Sequence, residues 1–412
     1  MDTLFPVTTV GSWPRTPKVL DAIRKRHSGQ ISDEEFDAIA DEAVLECLSY
    51  QERAGIDIVT DGEQRRDNFF SFVADKLNGV KYMSVSEMME HMPDVRQAAR
   101  EKVKSRIDYA RMLRASDVPP KETFNPIAVD RVSIKNGGLA VDDVKFLKNH
   151  TDKPIKVALP GPYHLHRSAW YHRLSKDVYP TREDLARDIV QILRNELIRL
   201  RDLGVAFVQF DEPTLSQVVF GEDREHTFMC AALGEQDTAP EYELELAATL
   251  INETVEGVDG VRTGVHVCRG NWTRKEEKFL SGNYGPLLPT LMQMNVNQLV
   301  LEMSTPRAGE AEVFKEYADQ KEIGLGVENP RSAEVESAAS IVERAKEMLQ
   351  YFCPEMIFLN PDCGFGTFAE RPLNTPEIAF AKLQSMVKAA QMLRDEYGSA
   401  TGIGAGSTHA SS

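Results

Sequence analysis

Short apolar runs rich in β-branched residues alternate along the chain with longer stretches in which apolar residues recur at helical spacing. The eight runs predicted to be strands are Val7–Val10, Ile56–Thr60, Ile155–Leu159, Ala206–Phe210, Gly264–Val267, Gln298–Leu301, Ile323–Val327 and Met356–Leu359. The longer stretches predict helices, including Asp33–Ala54, Thr181–Leu203, Tyr242–Glu256, Ala333–Tyr351 and Pro376–Tyr397. Eight strands that alternate with helices are typical of a (β/α)8 TIM barrel, so an α/β barrel is the predicted fold. A doubly wound sheet is the alternative, and it usually carries a glycine-rich phosphate loop.

Three segments lie outside this repeating pattern. Residues 1–398 are predicted to form a single (β/α)8 domain. Helical insertions are expected near 78–140, after the second predicted strand, and near 219–240, after the fourth. Residues 399–412 are rich in Gly and Ser and are predicted to be a flexible tail.

The composition excludes several classes of protein. The 412 residues include 48 Lys and Arg and 64 Asp and Glu, and the resulting formal charge of −16 argues against a nucleic-acid partner. No apolar run approaches the roughly 20 residues of a membrane span, and the N-terminus lacks the features of a secretory signal. Five sparse cysteines in a long chain are typical of reduced thiols, so we expect a cytoplasmic protein with no membrane partner.

Polar and ionisable residues follow the predicted strands, and in a barrel this places them together at the rim that holds active sites. His266 and Cys268 stand two apart and therefore point to the same face of their strand. Glu302 and Cys363 follow later strands and are expected to converge on the same point. One imidazole, two thiolates and one carboxylate suit Zn²⁺, whereas the alternative is that both cysteines are small core residues. The remaining cysteines do not stand directly after a predicted strand with other ionisable residues, and they are not expected to bind a metal; they are Cys47, Cys230 and Cys353.

The charge of this ligand set indicates a class of reaction. Two thiolates and a carboxylate overcompensate Zn²⁺, so a further thiolate bound there stays nucleophilic, and S-alkylation is favoured over activation of water. Glu63 and Asp211 are candidates to hold an ammonium group, and Ser12 is a candidate to hold a carboxylate. Each of them taken singly also fits a structural turn or an ion pair. Arg269 is either a salt-bridge partner or an anchor for an anionic substrate group.

Several short motifs match a known family. They are Thr8-Thr9-Val10-Gly11-Ser12-Trp13-Pro14, Gly62-Glu63, Gly161-Pro162, Gln209-Phe210-Asp211-Glu212-Pro213, His266-Val267-Cys268 and Asn360-Pro361-Asp362-Cys363-Gly364. In this order, over about residues 5–395, they resemble the catalytic C-terminal barrel of cobalamin-independent methionine synthase. The resemblance implies a methyltransferase whose zinc is bound by His266, Cys268, Glu302 and Cys363. It also implies that Ser12, Glu63 and Asp211 contact homocysteine, whose thiol takes the methyl group.

The resemblance leaves the donor and the acceptor thiol open. Full-length members carry a second, N-terminal barrel that this chain does not match, so the donor is either methyltetrahydrofolate or a methylcorrinoid, the latter with a corrinoid protein as partner. The family's proton-donating His after strand seven is replaced in Glu328-Asn329-Pro330-Arg331, so Glu328 and Asp211 are the candidate catalytic residues. Single-barrel relatives include epoxyalkane:coenzyme M transferases. Zinc-dependent alkyl transfer or epoxide opening onto another small thiol such as coenzyme M, whose sulfonate Arg269 would face, is therefore one alternative, and a zinc protein that stores or senses thiols is another.

Overall fold

A six-stranded parallel sheet and a separate two-stranded antiparallel sheet organise the protein. The computed structural model describes residues 3–101, 105–115, 117, 121, 123–135, 137–221, 238–366 and 373–401. The antiparallel pair is β1 (Leu77–Ser84) and β2 (Phe124–Ile134), and the parallel strands are β3 (Lys156–Pro160), β4 (Phe207–Asp211), β5 (Arg262–Val267), β6 (Gln298–Leu301), β7 (Glu322–Glu328) and β8 (Ile357–Pro361). The parallel strands are neighbours in chain order, so mixed α/β architecture with a parallel sheet is confirmed.

Fifteen α-helices surround or connect these strands within the described ranges. They are α1 (Pro17–His27), α2 (Asp33–Ala54), α3 (Val73–Lys76), α4 (Val85–Glu90), α5 (Val95–Glu101), α6 (Arg106–Ala115), α7 (Val141–Lys148), α8 (Pro162–Ala169), α9 (His172–Ser175), α10 (Arg182–Asp202), α11 (Thr214–Phe220), α12 (Pro240–Val255), α13 (Leu288–Gln293), α14 (Ala338–Met348) and α15 (Pro376–Thr401). None of them combines the length and the apolar character that crossing a bilayer requires.

The two longest predicted helices in the first half of the chain both begin at a capping box, and the first of them also ends at a glycine. Helix α2 starts with a capping box between Ser32 and Glu35 and ends at Gly55, whose φ of 85° stops the helix in the left-handed conformation. Helix α10 starts with the same kind of box, between Thr181 and Asp184. The predictions for Asp33–Ala54 and Thr181–Leu203 are confirmed to within a residue at each end.

The first two predicted strands are present only as isolated parallel bridges. The bridges pair Val7 with Leu359, Thr8 with Ile58, and Val59 with Ile155. In these two segments, side chains form many of the hydrogen bonds to backbone groups. The side-chain amide of Gln51 accepts from Thr60 N at 2.9 Å and donates to Thr60 O at 2.8 Å. Likewise Asp57 Oδ2 accepts from Val7 N at 2.7 Å. Since these groups are already satisfied, the two segments need no continuous ladder.

The expectation that a helix follows every strand is wrong between β6 and β7. The structure describes this whole connection, and it contains two 3-10 turns, Pro306–Ala308 and Ala311–Tyr317, instead of an α-helix. Pro306 has no backbone N–H to donate, and Gly309, with a φ of 92°, separates the two turns. The connection therefore returns from the carboxyl end of β6 to the amino end of β7 without an α-helix.

The insertion expected near 78–140 is not wholly helical. Strands β1 and β2 open and close it as a ribbon, and the stacked rings of Tyr82 and Phe124, 4.4 Å apart, join the two strands. Helices α4 to α6 lie between these strands. In the second expected insertion, α11 reaches Phe220 and α12 begins at Pro240, and residues 222–237 lie outside the described ranges. Helix α15 continues to Thr401, past the predicted start of the tail, and 402–412 are likewise outside.

A methionine-rich cluster joins the insertion to the sheet. Its buried members from the insertion include Met83, Met88 and Met112, and those from the segment after β5 include Cys268 and Trp272. The main core is separate and lies between the sheet and its surrounding helices. The carboxyl end of β5 is therefore covered by apolar side chains of the insertion.

Candidate active site

Three predicted metal ligands meet at the carboxyl ends of β5 and β8. The ligand atoms of His266, Cys268 and Cys363 all lie within 4.8 Å of one another, and the two sulfur atoms are 3.9 Å apart. His266 lies in β5 and Cys268 directly after it, so both side chains leave the same face. The imidazole Nδ1 of His266 bonds the carbonyl of Val300 at 3.0 Å, whereas its buried Nε2 has no partner among the described residues.

The arrangement fits a tetrahedral zinc ion. Zn–S bonds of about 2.3 Å put two sulfur ligands about 3.8 Å apart, close to the observed 3.9 Å. The unpartnered Nε2 of His266 would be the ligand atom, and the carbonyl on Nδ1 would fix the ring, as outer-shell partners of metal-binding imidazoles do. The hydrogen bond from the Cys363 thiol, outweighing burial, lowers the pKa of Cys268 well below its ordinary value. Cys268 thus favours the thiolate form that binds metals.

Glu302, the fourth predicted ligand, follows β6 and is fully buried, but it is not part of this three-residue cluster. Its Oε2 accepts from the backbone N–H of Arg269 at 2.7 Å. Its Oε1 accepts from Arg307 Nη2 at 2.5 Å and Arg331 Nη2 at 3.2 Å. Burial raises the pKa of Glu302, but the two guanidinium groups outweigh it and hold the pKa below its usual value.

A cavity next to the three-residue cluster brings the predicted substrate-binding residues together. Ser12, Glu63 and Asp211 line it along with the three candidate ligands. Val10, Phe69, Pro213 and Trp272 supply its apolar wall. The cavity therefore combines soft metal ligands, two carboxylates and a hydroxyl with side chains that exclude water.

The turn after the second bridged segment aims Glu63 into this cavity. Glu63 adopts a φ of 52°, an unfavourable conformation for a residue with a side chain, and Asp61 Oδ1 accepts from its N–H at 3.0 Å. Gly11 leaves room for the carboxylate, because a Cβ there would lie 2.3 Å from Glu63 Oε1. Oε2 of Glu63 is buried and has no hydrogen-bond partner in the part of the chain that the structure describes. Burial, which Arg66 opposes, raises the pKa of Glu63 to about 7.

Asp211 and Ser12 are held by neighbours that the sequence analysis did not single out. Gln209 Nε2 donates to Asp211 Oδ1 at 2.7 Å. The two residues stand two apart on β4 and therefore share a face, so the sequence could have predicted this contact. Burial raises the pKa of Asp211 to about 6, although the nearby His266 opposes the shift. Ser12 Oγ accepts from the N–H of Gly366 at 3.2 Å, which orients the hydroxyl.

The family model for the catalytic domain of cobalamin-independent synthases matches residues 5–99 and 121–392 of this chain. The chain belongs to this family. The methionine synthase of Sulfurisphaera tokodaii is 29% identical over 393 residues, which cover 95% of this chain and 94% of that protein. The methionine synthase of Sulfolobus acidocaldarius is 28% identical over 396 residues, covering 96% and 94%. Family membership and these relatives identify the chain as a methyltransferase, as predicted.

Solved structures of other family members have a similar fold. The B12-independent methionine synthase of Shewanella, solved in complex with selenomethionine, gives a TM-score of 0.70 at 23% identity, covering 96% of this chain and 100% of that chain. The putative vitamin-B12 independent methionine synthase of Listeria monocytogenes gives 0.63 at 21% identity, covering 95% and 99%. At these identities the likeness concerns the fold alone.

Glu328 and Arg269 were predicted to belong to the active site of this methyltransferase, but their side chains lie outside the cavity. Glu328, at the end of β7, faces α15, where its Oε2 accepts from Lys382 Nζ at 2.9 Å. Burial raises the pKa of Glu328 to about 10, aided by a hydrogen bond with Glu336 and opposed by Lys382. Glu328 is not among the residues that line the cavity, so its position does not support the predicted role of proton donor.

The guanidinium of Arg269 likewise points away from the cavity. Its Nη2 donates to the carbonyl of Gly282 at 2.9 Å and its Nη1 to Ser216 Oγ at 3.0 Å. The guanidinium also lies 4.1 Å from the centre of the Tyr284 ring. Because Arg269 is fully buried among these partners, the structure does not bring it to the substrate. Its backbone N–H, by contrast, contacts Glu302.

Proposed function

We propose that the protein is a zinc-dependent methyltransferase that methylates the thiol of homocysteine to give methionine. The observation that carries this proposal is the single cavity lined by His266, Cys268 and Cys363 together with carboxylates suited to an amino acid. The relatives named methionine synthase support homocysteine as acceptor.

The sulfur and imidazole ligands support the choice of metal. His266, Cys268 and Cys363 would hold Zn²⁺, and we propose Glu302 as a fourth ligand because its carboxylate contacts the residue next to Cys268. Bound zinc lowers the pKa of an incoming thiol and leaves the sulfur nucleophilic. Closed, thiolate-rich sites are poorly suited to activating water, so thiol alkylation is the fitting chemistry.

The polar wall of the cavity is suited to hold an amino acid. Glu63 and Asp211 each present a buried carboxylate, and the unpartnered Oε2 of Glu63 can accept from the ammonium group. The hydroxyl of Ser12 can donate to the substrate carboxylate while it accepts from Gly366 N. We propose Asp211 as the residue that also contacts the reacting region, because it is near His266. Phe69 and Trp272 would exclude water from the sulfur.

We also propose that residues 1–398 form one (β/α)8 barrel, closed by the three single-residue bridges. The bridges link β8 to residue 7, residue 8 to residue 58, and residue 59 to the start of β3, in the order that a closed barrel requires. The methyl donor would approach the open side of the cavity. It would be methyltetrahydrofolate, or a methylcorrinoid carried by a corrinoid protein.

Coenzyme M as the acceptor lacks support from the arrangement of charges. Its sulfonate needs a cation at the cavity, and the predicted cation, Arg269, donates instead to Gly282 and Ser216. Homocysteine needs carboxylates, and Glu63 and Asp211 line the cavity. The proposal therefore favours the amino-acid thiol.

Zinc X-ray absorption on the purified protein tests the proposal directly. Addition of homocysteine should raise the number of sulfur ligands from about two to about three, and coenzyme M should leave it unchanged. Cys363→Ser should lose zinc and activity, whereas the matched control Cys353→Ser, at an exposed thiol far from the cluster, should retain both. A protein that binds no zinc, or that gains a sulfur ligand only with coenzyme M, would contradict the assignment.

A further inference from the structure

Two arginines hold the carboxylate of Glu302 at one side of the candidate metal site. Glu302 is fully buried, Arg331 is 1% exposed, and Arg307 is 12% exposed. Both guanidinium groups donate to the same oxygen, Oε1, while the backbone N–H of Arg269 donates to Oε2. Both oxygens of Glu302 are therefore occupied by strong donors, two of them positively charged.

A second carboxylate, nearer the surface, accepts hydrogen bonds from the same two arginines. Glu276, in the loop after β5, is 42% exposed. Its Oε1 accepts from Arg331 Nε at 2.9 Å, and its Oε2 accepts from Arg307 Nη2 at 3.1 Å. Arg307 Nη2 is thus shared between a buried carboxylate and one at the surface. The two glutamates therefore share the positive charge of the arginine pair, and the buried Asp362, whose Oδ2 lies 3.5 Å from Arg331 Nη2, takes a further part of it.

We propose that Arg307 and Arg331 are positioning residues that compete with the metal for Glu302, and that Glu276 moderates this competition. The inference rests on the proposed zinc site. A carboxylate that already accepts charge-assisted hydrogen bonds donates less electron density to a metal, and two cations that are largely shielded from water also repel Zn²⁺ where screening is weak. Zinc then binds mainly to His266, Cys268 and Cys363, with Glu302 as the weakest ligand.

Hydrogen bonds to a metal-binding carboxylate usually raise metal affinity. Whether removal of an arginine raises or lowers zinc affinity therefore distinguishes competition from this usual role. Hydrogen bonds to a ligating carboxylate commonly orient it, and their loss lowers metal affinity about 10- to 100-fold. One donor, on the oxygen that does not bind the metal, is enough for that role. Glu302 has two cationic donors on the single oxygen Oε1, a number that exceeds what orientation requires. Arg307 also donates to the carbonyl of Leu280, so its own position does not depend on Glu302.

The experiment measures zinc affinity by competition with a chromophoric chelator, without reference to turnover. Arg307→Met should bind zinc about tenfold more tightly than the parent protein, and X-ray absorption should show an unchanged sulfur count with a shorter zinc–oxygen distance. Glu276→Gln should have the opposite effect and weaken zinc binding severalfold, because both arginines then lose a carboxylate that competes with Glu302 for their charge. Arg262→Met is the matched control, since Arg262 forms a two-point ion pair with Glu322 at the other end of the sheet.

The outcomes separate this inference from the proposed function. Weaker or unchanged zinc binding in Arg307→Met would refute the competition and leave the zinc site intact. Should thermal melting show that this variant is unfolded, Glu276→Gln decides, because the side chain of Glu276 is 42% exposed and Gln keeps its size. Unchanged or tighter binding in Glu276→Gln would equally refute the inference. A parent protein without zinc would refute the proposed function itself.

Discussion

A methyl group added at Gly11 should weaken the binding of homocysteine without changing any charge in the site. In Gly11→Ala the new Cβ would lie 2.3 Å from Glu63 Oε1, whereas Cβ atoms essentially never lie closer than 3.0 Å to such a neighbour. The carboxylate must therefore move by at least about 0.7 Å, the difference between 2.3 and 3.0 Å. Gly11 does not have a positive φ, so alanine places no strain on the backbone itself.

The size of the effect follows from what Glu63 contributes. A hydrogen bond to a charged group is worth about 1.5 to 3 kcal/mol, and each loss of about 1.4 kcal/mol weakens binding tenfold. The KM for homocysteine should therefore rise about 10- to 100-fold, while kcat at saturation and zinc content change little. A second contact, at 3.1 Å from Ala158 Cβ, adds a small cost in stability.

Steady-state kinetics with homocysteine as the varied substrate, together with zinc analysis, provide the assay. Gly398→Ala is the control, because an added Cβ there has no atom within 4 Å. An unchanged KM in Gly11→Ala would mean that Glu63 does not bind the ammonium group. A loss of zinc along with the rise in KM would mean that the substitution disturbs the metal ligands, and the assignment of Glu63 would then fail as well.

Three further predictions concern single groups. Below pH 7 the buried Glu63, with a pKa of about 7, is protonated and loses its attraction for ammonium, so kcat/KM should fall as the pH drops, and Glu63→Gln should flatten this limb. Glu328→Gln should leave kcat unchanged, because the carboxyl contacts Lys382 outside the cavity; a tenfold loss would restore it as the proton donor. Gln209→Leu removes the donor to Asp211 Oδ1 and should raise the KM for homocysteine about tenfold with zinc retained, whereas an equal loss of zinc would indicate a structural role.

The alternation of apolar and polar residues was enough to locate the parallel strands and the residues at their ends. Residues two apart on a strand share a face, and this rule alone placed His266 beside Cys268. The same rule explains the misassignment of Arg269, which follows Cys268 and therefore points to the opposite face, against Tyr284. The same rule could have predicted that the amide of Gln209, two residues before Asp211 on β4, lies on the same face as the Asp211 carboxylate.

The position of Glu328 could not be predicted from spacing. The pairing of β7 with β8 shifts register between Gly326 and Glu328, so the alternation along the strand breaks there. Gly326 faces the interior beside Asp362, whereas Glu328 turns to Lys382 on α15. A bulge depends on both strands at once and has no signature in either one alone. The side-chain bonds that replace a ladder around Gln51 depend in the same way on segments distant in the chain.

The methionine-rich cluster gives several side chains two duties at once. Met83 and Met88 stabilise the insertion, and they pack in the same cluster as Cys268 and Trp272 at the wall of the active site. Methionine has a flexible, polarisable side chain that fills irregular space, so such a wall can change its shape without leaving a void. Selection for the use of a different methyl donor and selection for a stable insertion would therefore act on the same few residues. Divergence of this region should then proceed by paired substitutions across the cluster.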